Sequence, residues 1–108
     1  MTATTTSNWI AAMNAVEEFV EWINTEADIP EGYRYEVATP GAKNVRIVMK
    51  ARGDMGGSVH AFVSLETGDL LKAAGWKAPA KGARGNLVND LDAVKARFDW
   101  SGHYLYVR

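Results

Sequence analysis

The sequence predicts an α+β fold in which an N-terminal amphipathic helix packs on a mostly antiparallel sheet of four or five strands. Helical spacing of apolar residues near the start and three runs with period-two alternation support this fold. A second helical run near residue 90 predicts a short helix before a C-terminal strand. The 108 residues suffice for one domain. We assign residues 8–108 to it and residues 1–7 to a flexible N-terminus.

Residues 8–26 have the spacing of an amphipathic helix. Their apolar residues recur every three or four positions: Trp9, Met13, Val16, Val20 and Ile23. Ser7 or Asn8 is suited to the N-cap. Acidic residues occupy the opposite side of the predicted helix, and Pro30 with Gly32 marks the turn that ends it. The apolar stripe therefore predicts a helix that packs on a sheet.

Three alternating runs predict strands over residues 33–38, 44–51 and 58–65. In the third run, Val59, Ala61, Val63 and Leu65 are expected to share the buried face. This phase places His60 on the opposite, solvent-facing side of the strand. A tight turn at Thr67–Asp69 then leads to a short fourth strand over residues 70–74.

The remaining part of the chain changes character twice. Residues 75–86 contain three glycines and one proline, which predicts an irregular loop. Residues 89–98 return to helical spacing, with acidic residues near the start and basic residues near the end, as the helix dipole favours. The aromatic run over residues 103–107 predicts the terminal strand.

The residue inventory argues against a catalytic or cofactor-binding protein. There is no cysteine, which excludes disulfides, thiolate metal sites and cysteine nucleophiles. Neither the Walker motif GxxxxGK[ST] nor the dinucleotide-binding motif GxGxxG occurs in the sequence. The helical glutamates lie on a predicted solvent face. His60 and His103 have no spacing that indicates a metal site with Asp54 or Asp69. We therefore expect a protein that is not an enzyme and has no cofactor or metal.

Charge is distributed unevenly along the chain. Residues 1–66 contain five basic and nine acidic residues, a net charge of −4, whereas residues 67–108 contain seven basic and four acidic residues, a net charge of +3. Four cations lie between residues 72 and 84 without an acid among them. This stretch predicts a local basic surface on a nearly neutral domain.

The basic stretch, residues 72–86, is the candidate site for nucleic acid or another phosphate-bearing ligand. Lysine and arginine neutralise phosphate, glycine permits close backbone approach, and an indole can stack on a base. The candidate binding residues are Lys72, Trp76, Lys77, Lys81, Arg84 and Asn86. The alternative is structural, with Trp76 filling the edge of the core while the lysines extend into water.

The same region resembles a known group of proteins. The segments Ser58–Val63, Thr67–Asp69, Lys72–Ala74, Trp76–Lys81 and Arg84–Asn86 resemble small tailed-bacteriophage proteins of unassigned function. The resemblance spans residues 58–87 and centres on WKAPAK followed by RGN. It implies a phage origin and a role in the infected bacterium or the particle. It implies no catalytic residue.

These observations predict a non-catalytic, phage-encoded binding protein with nucleic acid as its ligand. One alternative is a protein-interaction module that docks on a host protein as an inhibitor or modulator. Another is a minor virion or assembly component that packs against copies of itself. The first residues lack a secretory signal and no apolar stretch reaches the roughly 20 residues of a membrane span. We therefore expect no membrane partner and a location in the host cytoplasm.

Overall fold

The computed structural model describes residues 2–41, 43–51, 57–74, 79–100 and 103–106, and the side chains of residues 2–8, 103 and 106 are outside the description. Helix α1 (Thr2–Thr25) is followed by strands β1 (Arg34–Val37), β2 (Asn44–Lys50), β3 (Ser58–Ser64), β4 (Asp69–Ala73) and β5 (Pro79–Asn86). Helix α2 (Leu91–Arg97) and a short 3-10 helix (His103–Tyr106) complete the chain order. The five strands form one antiparallel sheet in the order β1-β2-β3-β4-β5. The predicted α+β class is confirmed.

The hydrophobic core lies on one face of the sheet, here called the inner face. All three described helices contribute buried side chains to it, including Phe19 from α1, Val94 from α2 and Leu105 from the 3-10 helix. Among the inward-facing strand residues in the same cluster are Tyr35, Val45, Ile47, Ala61, Val63 and Leu70. The alternation predicted for β1 and β2 is therefore confirmed, because Tyr35, Val45 and Ile47 point to the same side.

A bulge in β3 corrects the predicted face of His60. Ile47 pairs with Ala61, whereas the next residue, Val48, pairs with Val59, so that β3 has one extra residue at this point. In such a bulge two successive side chains of the longer strand point to the same face. His60 accordingly joins Ala61 on the inner face, and Val59 moves to the opposite face. The prediction of a surface histidine was wrong because alternation alone cannot show a bulge.

Two further elements differ from the sequence prediction. Residues 79–86, expected within an irregular loop, form β5 at the edge of the sheet, antiparallel to β4. The register is interrupted between Asp69 and Leu71 and again between Leu71 and Ala73, and Gly82 and Gly85 have positive φ values of 92° and 155°. Residues 103–106 of the C-terminal run that predicted a strand instead form the 3-10 helix, and residue 107 lies outside the described residues.

Helix α1 begins at Thr2, before the predicted N-cap at Ser7 or Asn8, and it includes most of the stretch expected to be a flexible N-terminus. Its C-terminal half contributes most of the contact with the sheet, through buried residues such as Val16, Phe19 and Ile23. The turn after the helix forms as predicted, with the Tyr33 amide donating to the Pro30 carbonyl. In the described part of the chain, no helix has the length and apolar character needed to cross a membrane.

Candidate functional site

The six candidate residues divide between described and undescribed parts of the chain. Trp76 and Lys77 lie outside the described residues. Lys72 lies on β4, and Lys81, Arg84 and Asn86 lie on the neighbouring strand β5. The structure thus brings four of the predicted residues together on one edge hairpin, although it makes their surroundings strand-like where we had expected a loop.

The Arg84 guanidinium is held by backbone carbonyls. Its Nε donates to the Leu105 oxygen at 2.7 Å, and its Nη1 donates to the Lys81 oxygen at 2.9 Å and to the Gly82 oxygen. Arg97 from α2 donates in turn to the Arg84 oxygen at 3.0 Å. Arg84 therefore fastens β5 to the 3-10 helix. Because the carbonyl groups that accept its hydrogen bonds are uncharged, they leave its positive charge at this edge of the sheet.

Asn86 is also engaged within the fold. Its Nδ2 donates to the Thr67 oxygen at 2.8 Å and to Asp69 Oδ1 at 2.9 Å. Its Oδ1 accepts from the amides of Val88 and Asn89 at 2.9 and 2.8 Å. An amide group that makes these four bonds organises the turn after β5 and ties it to the turn before β4. The side chain has little remaining capacity for a ligand.

Lys81 is the described candidate that best suits ligand contact. Its side chain is exposed on β5, whereas Lys72 is half-buried and its Nζ donates to the Ala73 oxygen at 3.5 Å. The ion pairs found among the described residues lie elsewhere, between Glu36 and both Arg34 and Lys50, and between Glu18 and Lys95. Lys81 thus presents a positive charge at the sheet edge with no carboxylate bound to it in the described part of the chain.

More cations lie on the face of the sheet opposite the core, here called the outer face. Alternation along β2 places Arg46 and Lys50 there, because Val45, Ile47 and Met49 point inward. Arg34 and Lys50 share the carboxylate of Glu36, with Lys50 Nζ 3.2 Å from Glu36 Oε1. The hydrogen bond from Lys50, aided by Arg34, lowers the pKa of Glu36 and keeps it ionised. The cluster of Arg34, Lys50 and Glu36 therefore has two positive charges against one negative charge.

The outer face is apolar at its centre. Phe62 and Val48, which are 3% and 7% exposed, lie beside half-buried Val59 and Leu71. The pairing of Arg46 with Phe62, of Phe62 with Leu71 and of Leu71 with Ala83 makes one row across four strands. We had not included Arg46 and Lys50 in the candidate site, although the alternation of β2 already placed both opposite the apolar face.

A second cluster of polar groups surrounds His60 on the inner face. His60 Nε2 lies 2.7 Å from the Tyr104 hydroxyl, and the ring contacts Tyr35, Phe98 and Tyr104. Burial lowers the pKa of His60 to about 4, against a partly opposing effect of Asp99. Burial raises the pKa of both Tyr35 and Tyr104. His60 is therefore a neutral hydrogen-bonding core residue at neutral pH.

The described residues contain no group of three or more histidine or acidic side chains that could hold a metal ion. Asp54, one partner considered for a histidine pair, lies outside the described residues, and so does the side chain of His103. Of the two remaining members, His60 has Tyr104 as its hydrogen-bond partner, and Asp69 Oδ1 accepts from Asn86 Nδ2 at 2.9 Å.

Comparisons with known proteins give a family but no activity. A family model described as "Family of unknown function (DUF7717)" matches residues 4–107. No curated protein matches the chain. No solved structure matches it either.

Proposed function

We propose that this chain, which belongs to the DUF7717 family of unknown function, is a non-catalytic protein that binds nucleic acid through its basic β4–β5 edge. The observation that carries the proposal is exposed Lys81, which lies on an edge strand within a stretch, residues 72–86, of four cations and no acid. Cations that neutralise phosphates release condensed counterions, which supplies sequence-independent affinity.

The internal bonds of Arg84 and Asn86 refine the proposed role of each residue. Lys81 contacts phosphate directly. Arg84 keeps its positive charge near the ligand while it holds β5 in place. Asn86 acts on the shape of the β4–β5 edge through its bonds to the neighbouring turn. Recognition therefore rests on charge, and we expect strong dependence on salt and weak dependence on base sequence.

The test is a fluorescence-anisotropy titration with labelled single-stranded DNA, duplex DNA and single-stranded RNA at low salt. We expect binding that weakens steadily as salt is raised, with a shallower salt dependence for Lys81→Gln. Lys43→Gln is the matched control, because Lys43 is an exposed lysine at the start of β2, three strands away from β5. An unchanged anisotropy with all three nucleic acids at low salt would refute the proposal.

We further propose that the protein acts in the cytoplasm of a phage-infected bacterium. The support is the resemblance of residues 58–87 to small tailed-bacteriophage proteins. Detection of the chain in lysates of infected cells but not in purified particles is the expected result. Its recovery in stoichiometric amounts from purified particles would instead favour the virion component.

A second candidate function, docking on a host protein, is favoured by a separate observation. Trp9 and Ile10 on α1 are 39% and 50% exposed, and exposed large apolar side chains side by side are typical of contact surfaces. A photo-cross-linking residue at Ile10, used in nuclease-treated bacterial lysate, should capture one protein in stoichiometric amount. The same residue at exposed Glu21 is the control. Equal capture at both positions would count against this candidate.

A further inference from the structure

The start of helix α1 presents apolar side chains that the core does not cover. Among the α1 residues whose side chains are described, the first that is fully buried is Ala12, whereas Trp9 and Ile10 are 39% and 50% exposed. Residues 2–16 include no charged residue. The N-terminal half of α1 is therefore an uncharged helical surface on which two large apolar side chains meet water.

Ile10 belongs to the side of α1 that faces away from the sheet, here called the outward stripe. Positions four and seven residues apart share one side of a helix, and Asn14, Glu17 and Glu21 follow Ile10 at intervals of four, seven and eleven residues. All four side chains are exposed. Trp9 lies about 100° around the helix from Ile10. The outward stripe therefore begins uncharged and apolar and continues as an acidic surface.

The two ends of the outward stripe complement each other in charge. The first turn of α1 has no acidic residue, although the free N–H groups of a helix start give it a partial positive charge that carboxylates stabilise. Glu17 and Glu21 are exposed carboxylates, and the ion pairs among the described residues do not include them. They lie four to five turns along their own helix, too far to reach its first turn.

An antiparallel second copy brings these two ends together. If the helices cross where Ile10 meets Ile10, Glu17 of each copy lies level with residue 3 of the other, in its first turn. The two Glu17 residues are then about 21 Å apart, twice the screening length of about 10 Å at 0.1 M salt. Because the outward stripe faces away from the sheet, the two sheets lie on opposite sides of the helix pair.

We propose that two copies of this chain associate through an antiparallel pairing of the N-terminal halves of α1, with Ile10 at the crossing point and Trp9 beside it. A symmetric contact sets each surface against itself and therefore excludes like charges, a condition that residues 2–16 meet. A parallel pairing would instead place Glu17 against Glu17 and Glu21 against Glu21, which repel each other. This inference goes beyond the proposed function and does not depend on it.

Single cysteines test the pairing, because the chain has no cysteine of its own. Ile10→Cys places two thiols at the crossing point, where the Cα atoms come within the roughly 7 Å that a disulfide permits. Asn14→Cys is the matched control, since it is exposed on the same stripe but its two copies are about 12 Å apart along the helix pair. Under mild oxidation we expect Ile10→Cys to form a linked dimer about tenfold faster than Asn14→Cys.

Sedimentation equilibrium over a wide range of concentrations measures the association without a disulfide. We expect the mass of the wild-type protein to rise from monomer toward dimer with concentration. Ile10→Glu should remain a monomer, because it sets two carboxylates against each other, whereas Asn14→Glu, which lies level with uncharged residue 6 of the other copy, should still associate. Circular dichroism verifies that both variants keep their helices.

Three outcomes would overturn the inference. Equal rates of disulfide formation at positions 10 and 14 would indicate parallel pairing or random collision. A wild-type protein that is monomeric at every concentration would show that the surface does not bind a second copy. Capture of a bacterial protein at Ile10 by a chain that stays monomeric would assign the surface to that protein instead.

Discussion

At the scale of single residues, His60 links the stability of the fold to pH. Its pKa is about 4 in the folded protein against an ordinary value of 6.5, so that below pH 6.5 the unfolded chain binds a proton that the folded chain does not. Folding stability is fully present above that pH and falls as the pH drops toward 4. We expect this group alone to lower the free energy of unfolding by about 2 kcal/mol between pH 8 and pH 5.

Urea unfolding of wild type and His60→Phe at both pH values measures this effect. The other titrating groups are shared by the two proteins, so the difference between their pH dependences isolates His60. Tyr104→Phe is the control, because it removes the hydroxyl 2.7 Å from His60 Nε2 but keeps the buried imidazole. Equal pH dependence in wild type and His60→Phe would contradict the conclusion that His60 causes the loss of stability at low pH.

Asn24 covers the edge of β1 that lies away from β2. Its Nδ2 donates to the Tyr35 oxygen and its Oδ1 accepts from the Tyr35 amide, both at 2.9 Å, so that the side chain imitates a neighbouring strand. We expect Asn24→Ala to lower the free energy of unfolding by about 1–2 kcal/mol and to promote self-association through the uncovered edge. Urea titration and sedimentation at two concentrations provide the readouts. Asn14→Ala, an exposed asparagine on the same helix, should change neither.

At the scale of elements, β5 depends on arginine side chains for its position. Arg84 bonds to the Leu105 and Lys81 oxygens, and Arg97 bonds to the Arg84 oxygen. We expect Arg84→Lys to cost about 2 kcal/mol of unfolding free energy, because lysine keeps the charge but cannot bridge these carbonyls. Nucleic-acid affinity should stay within about twofold, since the phosphate attraction depends on charge.

Hydrogen exchange monitors the same variant locally. Faster exchange in residues 79–86 and 103–106 is the expected signature of the loosened contact between β5 and the 3-10 helix. Arg34→Lys on the opposite edge strand is the matched control, and it should leave exchange in both segments unchanged. A fully stable Arg84→Lys protein that nevertheless binds nucleic acid poorly would reverse the two roles assigned to Arg84.

The elements that were predicted correctly have strong local patterns. The apolar stripe of α1 and the alternation of Val45, Ile47 and Met49 each determine which side is buried. Strand β5 has no such pattern, because Gly82 and Gly85 interrupt it and its register with β4 shifts twice. Its place in the sheet comes from β4 and from arginine bonds to distant carbonyls, which sequence periodicity does not contain.

The candidate site was predictable to a similar extent. The density of cations in residues 72–86 was visible in the sequence, and it led to Lys81 on an exposed strand. The internal use of Arg84 and Asn86 was not visible, because their partners Leu105 and Thr67 lie 21 and 19 residues away along the chain. Charge can be counted from a sequence, whereas hydrogen-bond partners depend on the completed fold.

At the scale of the whole molecule, the fold separates charge between its two sides. Acidic residues of α1 lie on the helical side, and Arg34, Arg46 and Lys50 lie on the outer face of the sheet. Both the sheet and the helix, which is about 10–12 Å thick with its side chains, lie between them. Electrostatic interactions between exposed charges decay over about 10 Å at 0.1 M salt but over about 30 Å at 0.01 M salt. A nucleic acid bound at the β4–β5 edge should therefore sense the helical carboxylates only at low salt.

This separation predicts how the double variant Glu17→Gln/Glu21→Gln behaves. Removal of two distant negative charges should strengthen single-strand binding by about two- to threefold near 0.01 M salt, where the screening length exceeds the helix thickness. The gain should vanish at 0.15 M salt, because the ligand is then beyond the range of those charges. Lys81→Gln, in contrast, should weaken binding at both salt concentrations, since a phosphate in contact with Lys81 is screened far less. Anisotropy titrations at the two concentrations measure both effects, and a gain of equal size at both would place the nucleic acid against α1.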